Sequence, residues 1–159
     1  SLHDALPISQ RILAEARIKA RRETVQAREQ LVRQSFESAR AELRELAESG
    51  SDSYRTVLEN LIVESAISAN TASLEVLVNE RDRRIFTGDS LESLARRISS
   101  EAGREVALTL SEASFPCAGG VVVRSADGSI RVNNTFESRI ERYRDAIRSH
   151  VAHELFPQE

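Results

Sequence analysis

The sequence has little of what a disulfide-stabilised, aromatic-rich or membrane-spanning protein needs. One of its 159 residues is cysteine, Cys117, so no disulfide can form within the chain. Aromatic residues make up 4% of the total, and no apolar run approaches the roughly 20 residues that a helix needs to cross a bilayer. We therefore expect a protein of a reducing, intracellular setting, without direct membrane insertion.

An excess of one charge is also lacking. The formal net charge is −3, and all but one of the 22 basic residues are arginine. Because acidic and basic residues interleave along the chain, no basic patch predicts a nucleic-acid partner.

Patterns that would bind a metal, a nucleotide or another cofactor are missing as well. No Cys/His cluster has the spacing of a zinc site, and His150 and His153 are better explained as polar residues at a domain rim. Gly119-Gly120 precedes a strand pattern rather than the Lys-Ser/Thr helix start of a phosphate-binding loop. Cys117 is expected to be a small filler rather than a nucleophile. We expect no cofactor, no metal and no catalytic residues.

Glycine and proline are absent between Ser9 and Ser49, which predicts one long helix rich in strong helix formers. Apolar residues recur there at intervals of seven, but in the N-terminal part the second seam position falls on Arg22 and Glu29. Such a narrow stripe is too polar to fold back into a core, so it needs another helix beside it. The predicted partner-helix seam consists of Ile18, Val25, Val32, Phe36, Ala39, Leu43 and Leu46.

A domain boundary is predicted where Gly50 stops this helix. Residues 1–49 are then a helical stalk arm, and residues 50–159 are a compact α/β domain. Ser1 to Pro7 joins no later pattern, and the chain does not begin with Met, so we expect the first residues to be non-native or disordered.

The second part has the pattern α-β-α-β-β-β-α, which predicts a four-stranded sheet packed by helices and hence an α+β fold. A capping box is predicted at Asp89 to Glu92. The stretch Arg81 to Arg84 is expected to be a solvated turn. Asp127-Gly128 between two β-branched runs is a strong hairpin signal.

The chain is predicted to end on one helix, capped at Asn134 with Glu137 three residues on. The Asn133-Asn134-Thr135 stretch also fits a glycosylation sequon, but its place at a helix start favours the capping role. The predicted buried face of this last helix is Phe136, Ile140, Tyr143, Ile147, Val151 and Leu155.

The segment from Gly119 to Arg142 resembles the C-terminal signature of the E subunit of V-type and archaeal-type ATP synthases. That signature is a Gly-Gly hairpin followed by Asn-Thr-x-Glu-x-Arg at the start of the last helix. The charged N-terminal helix followed by an α/β domain also resembles the layout of the family, although the arm looks shorter than is usual. The signature residues are Gly119, Gly120, Asp127, Gly128, Asn134, Thr135, Glu137 and Arg139.

The resemblance implies a non-catalytic peripheral-stalk subunit, or stator, of a proton- or sodium-translocating rotary ATPase. The implied partners are a second helical stalk subunit of the G or H type, the non-catalytic nucleotide-binding subunit of the head, which the signature domain would contact, and the membrane motor at the distal end. The protein would then be cytoplasmic and peripheral to the membrane.

A homodimeric coiled-coil adaptor unrelated to ATPases is the alternative that the arm alone would also fit. An enzyme ranks last, because no constellation of residues supports catalysis.

Overall fold

The computed structural model describes the backbone of residues 2–157 and the side chains of residues 7–157. The helices are α1 (Leu2–Glu48), α2 (Asp52–Ala69), α3 (Gly88–Ala102), α4 (Phe136–Arg142) and α5 (Arg144–Leu155), and a 3₁₀ helix spans Asp82–Ile85. The strands are β1 (Ser73–Leu77), β2 (Ala107–Leu110), β3 (Gly120–Ser125) and β4 (Arg131–Thr135). A long first helix followed by a compact domain with a four-stranded sheet confirms the α+β prediction.

Helix α1 ends where the sequence predicts. Gly50 adopts a left-handed φ of +62°, which a glycine reaches without a Cβ clash. Ser51 then caps α2 by accepting a hydrogen bond from the Tyr54 N–H. Of the expected non-native start, residue 1 lies outside the described residues, whereas residues 2–7 have helical backbone.

The sheet has the order β2-β1-β3-β4. Strands β1 and β2 are parallel and are connected through α3, while the β1–β3 and β3–β4 pairs are antiparallel. The hairpin of β3 and β4 turns at Asp127-Gly128, as predicted, with Gly128 at φ +75°. Asp127 accepts hydrogen bonds from the hydroxyls of Ser125 and Ser129, and these bonds lower the pKa of its carboxyl to about 2.

The core lies between α2 and the sheet, with α3 packed beside them. Each large aliphatic side chain that is fully buried in this way contributes roughly 1.5–3 kcal/mol. The largest fully buried apolar side chains are Tyr54, Leu58, Ile62, Leu74, Val76, Val78, Ile98, Val121, Val122 and Val123.

The chain divides into two compact units. The first comprises the residues up to Ala39 together with those from Asp145 onwards, and the second comprises Arg40–Arg144, which includes the sheet. The predicted domain bounds, 1–49 and 50–159, stay predictions.

Two predicted helix starts are wrong in their caps. Helix α3 is capped by Thr87, whose side chain accepts from the Ser90 N–H, rather than by Asp89. Helix α4 is capped by Thr135, while Asn134 lies in β4 with its side chain buried. A side chain caps a helix only if it lies at the first turn, so the register of the preceding segment decides which candidate is used.

The predicted single last helix is two helices, because the chain breaks at Tyr143 between α4 and α5. Phe136 and Ile140 are buried as expected. Tyr143 and Leu155 are exposed, and α5 has no fully buried residue.

Candidate interaction sites

The N-terminal part of α1 carries large apolar side chains in contact with solvent. Ile18 is 58% exposed and Val25 is 52% exposed, and both belong to the predicted seam. Ile8, Ile12 and Leu13 are exposed on the same helix. Because a helix rarely leaves a regular apolar stripe in water without a partner, this stripe, from Ile18 to Val25, is the first candidate interaction site.

The remaining seam residues differ in their exposure. Val32 and Phe36 are buried within this chain, whereas Ala39 is exposed. Leu43 and Leu46 are half-buried against the core of the second unit, next to Ala47, which is buried and was not predicted. The structure therefore leaves Ile18, Val25 and Ala39 open to a partner, and the assignment of the whole seam to a partner stays a prediction.

Helix α5 contributes to the first unit in a way that the sequence did not indicate. One guanidinium nitrogen of Arg148 lies 2.6 Å from both carboxylate oxygens of Glu29. The Arg28 guanidinium lies 4.8 Å from the centre of the Phe156 ring, within the range of a cation–π contact. These contacts join α5, and Phe156 directly after it, to Glu29 and Arg28 of α1.

Gly119 and Gly120 of the signature are buried, and other atoms of the chain lie close to both of them. A Cβ on Gly119 would lie 2.7 Å from the Phe136 ring and 2.9 Å from the Tyr54 hydroxyl oxygen. Gly120, with φ +93°, has the carbonyl oxygen of Asn134 2.6 Å from where its Cβ would be. The glycine pair is thus a packing requirement of the domain.

The other signature residues tie α4 to its surroundings. The Asn134 amide donates to the Ser65 hydroxyl of α2, and its carbonyl oxygen accepts from Arg139. The Glu137 carboxylate accepts from the Ala118 N–H at 2.6 Å. Asp127, Gly128 and Glu137 are exposed, so they are the members of the signature most able to touch another protein. That the signature contacts the head stays a prediction.

A buried polar network at the start of α2 was missed. Tyr54 is 0% exposed, and its hydroxyl donates to Asp82 at 2.5 Å and accepts from the Gly120 N–H. Asp82, predicted to lie in a solvated turn, is 1% exposed and also accepts from Arg81. In turn, Arg81 donates to the carbonyl of Ala118. The charged run Arg81 to Arg84 gave no signal of this role, because the partner Tyr54 is distant in sequence.

Burial raises the pKa of the Tyr54 hydroxyl well above its usual value near 10, and the hydrogen bond to Asp82 raises it further. The buried, protonated Tyr54 hydroxyl therefore makes its full contribution to the free energy of unfolding below about pH 10. This contribution is lost as pH rises toward the folded-state pKa, because the unfolded state releases the proton first. Burial also raises the pKa of the Cys117 thiol, to about 11, so ionisation of this thiol also lowers the free energy of unfolding as pH rises.

In a Cys117→Ser background, we expect the free energy of unfolding to fall above about pH 10 by up to about 1.4 kcal/mol per pH unit. Tyr54→Phe should be less stable at about pH 8, since it loses a buried hydrogen bond. Its free energy of unfolding should, however, decrease less steeply with pH above about pH 10. Tyr143→Phe, at an exposed tyrosine, is the control and should keep the fall of the parent. Urea titrations between about pH 8 and about pH 11 would measure this, and an equally steep fall in Tyr54→Phe would contradict it.

Among the described residues, no three His, Cys, Asp or Glu side chains are grouped so that they could hold a metal ion. His150 and His153 are both exposed. Along the same described part of the chain, no helix has the length and apolar character needed to span a bilayer. All the buried side-chain polar atoms that the structure describes have hydrogen-bond partners.

The chain is similar to known proteins over nearly its whole length. The sequence model of the family described as ATP synthase (E/31 kDa) subunit matches residues 4–156. The E subunit of the A-type ATP synthase of Methanothermobacter thermautotrophicus is 38% identical over 140 residues, which are 88% of this chain and 66% of that protein. The corresponding E subunits of Methanosphaera stadtmanae and Desulfurococcus sp. are each 33% identical, over 142 and 147 residues, which are 89% and 92% of this chain and 68% and 70% of those proteins. The chain therefore spans about two thirds of the length of these relatives.

Proposed function

Because this chain belongs to the ATP synthase (E/31 kDa) subunit family, we propose that it is a non-catalytic peripheral-stalk subunit that holds the ATP-hydrolysing head against the torque of the rotor. Its complex is a V-type or A-type rotary ATP synthase that moves protons or sodium ions. The protein is cytoplasmic and peripheral to the membrane within that complex.

The exposed stripe on α1 carries the proposal. Ile18 and Val25 lie seven residues apart, and each residue is more than half exposed. The rest of this part of α1 is strongly charged. The helix therefore has no continuous apolar face along its full length through which it could pair with another helix. A dissimilar helix with a complementary stripe would cover these residues and stiffen the arm. We assign that role to a second helical stalk subunit of the G or H type.

In this proposal the compact domain provides the contact of this chain with the head. Its exposed signature residues are Asp127 and Gly128 at the hairpin turn and Glu137 at the start of α4. In this proposal they face the non-catalytic nucleotide-binding subunit of the head, and the distal end of α1 points to the membrane motor. A stator needs no catalytic group of its own, because the chemistry takes place in the head.

Val25→Glu is expected to weaken the complex with the helical stalk subunit by about tenfold or more, because it buries a charge at the centre of the stripe. Gln26→Glu adds the same charge at the adjacent exposed position and is the matched control, with an expected change of less than about threefold. Isothermal titration calorimetry of the purified chain against the helical stalk subunit from the same genome would measure both.

Two results would count against the stator. One is no binding between the wild-type chain and the helical stalk subunit. The other is self-association of the wild-type chain through the stripe, seen as rapid cross-linking of Val25→Cys to itself in a Cys117→Ser background. Self-association would support the homodimeric adaptor instead.

A further inference from the structure

We infer that helix α5 forms part of the binding site for the partner helix. The partner then lies between α1 and α5 at the point where the stripe reaches Val32. The inference rests on the proposed stalk function and specifies which face of this chain the partner covers. The predicted seam lay on α1 alone, and α5 was assigned to a compact domain.

A groove between the two helices is the first observation. It has a volume of about 470 Å³, and Val32 of α1 lines it together with Ser149 and Ala152 of α5. The two α5 residues are small and lie three positions apart on one helix face. Small side chains at such a spacing let another helix backbone approach closely. Arg148, which reaches Glu29 of α1, also lines the groove.

The groove continues the exposed stripe. Val32 follows Val25 and Ile18 at the same interval of seven, so a helix that covers the two exposed residues reaches Val32 without changing its path. Val32 is 5% exposed, so α5 already shields it, and a partner that follows the stripe must meet α5 at this point. The segment would then have three helices around Val32 rather than two.

Charge on the edges of the groove defines the partner. The guanidinium groups of Arg28 and Arg148 line it, together with the Glu29 carboxylate. Glu29 already lies against Arg148. The matching surface is an amphipathic helix that has a small or apolar residue toward the groove and carboxylates at the flanking positions. This is the chemistry that we assign to the contacting segment of the helical stalk subunit.

Ala152→Trp tests the inference, because the indole would fill the groove. We expect binding of the helical stalk subunit from the same genome to weaken by about tenfold or more in calorimetry. Glu154→Trp introduces the same side chain two residues away, on the exposed opposite face of α5, and should change binding by less than about twofold. If the two variants changed binding equally, or if neither changed it, the inference would be overturned. The stator proposal would still hold in that case, provided that the wild-type chain binds the stalk subunit.

A cross-linking measurement keeps the test independent of how Ala152→Trp folds. In a Cys117→Ser background, Ser149→Cys should cross-link to the stalk subunit as readily as Val25→Cys does, and Glu154→Cys should not. Cross-links from Val25→Cys alone would overturn the inference and keep the stator. The absence of any complex with the wild-type chain would overturn both, and self-association through Ser149→Cys would replace the dissimilar partner with a second copy of this chain.

Discussion

Replacing Gly120 with alanine should destabilise the sheet domain by about 4 kcal/mol. Two costs add up at this residue. A Cβ at φ +93° strains the backbone, and the same atom would lie 2.6 Å from the Asn134 carbonyl oxygen and 2.7 Å from the Thr135 Cα. Both neighbours are backbone atoms at the end of β4, so relief requires β3 and β4 to separate. Against a total stability of roughly 5–15 kcal/mol, such a loss leaves a domain close to unfolding.

Gly128→Ala is the matched control for this experiment. Gly128 also has a positive φ, of 75°, but no atom lies within 4 Å of the position that a Cβ would take. The change should therefore cost about 1 kcal/mol, from backbone strain alone. Guanidinium denaturation followed by circular dichroism would measure both variants. If Gly120→Ala lost no more stability than Gly128→Ala, the close approach of β3 to the start of α4 would be wrong.

Patterns that are local in sequence predicted most of the fold. The long helix follows from an uninterrupted run of helix formers that ends at Gly50, and the hairpin follows from Asp127-Gly128 between two β-branched strands. In both cases the signal and the structure lie within a few residues of each other. Short-range preferences decide such elements, and packing only has to agree with them.

Residues whose roles depend on distant partners were not predictable in the same way. Asn133, Asn134 and Thr135 could each cap a helix, and the pairing of Gly120 with Thr135 places Thr135 at the first turn of α4 and Asn134 in the interior. The sequence predicted that a partner helix covers Val32. In the structure α5, more than a hundred residues later in the chain, shields it. Periodicity shows which side of a helix is apolar, but it does not show which element covers it.

The site predictions follow the same division. The exposed positions Ile18 and Val25 could be found from their heptad spacing alone. The groove beside Ser149 and Ala152 could not, because small residues on a short charged helix are usually just surface. The signature is a recognisable motif in the sequence, but the sequence does not indicate why it needs glycines. The Phe136 ring and the Tyr54 hydroxyl leave no room for a Cβ on Gly119, and the backbone of Asn134 and Thr135 leaves none on Gly120.

Asp82→Ala should cost about 3 kcal/mol, the second largest loss we expect, because it removes the acceptor at the centre of a buried network. Tyr54 would lose the acceptor for its hydroxyl proton, and Arg81 would lose the carboxylate beside its guanidinium. The figure is at the low end for a buried ion pair, since Arg81 is partly exposed and water can solvate it. The measurement is the shift of the urea unfolding midpoint near neutral pH, with slopes compared to exclude a change in cooperativity.

Two further variants separate the network from a general effect of removing an acid. Asp82→Asn keeps an oxygen that can accept from Tyr54, so its loss should be smaller than that of Asp82→Ala. Glu112→Ala removes an exposed carboxylate and should stay within roughly 0.5 kcal/mol of the parent. The network also joins the first turn of α2 to the start of β3 and to the loop before it, because Tyr54 contacts Gly120 while Arg81 contacts Ala118. If Asp82→Ala behaved like Glu112→Ala, that loop would be held by the packing of its glycines rather than by the charged residues beneath it.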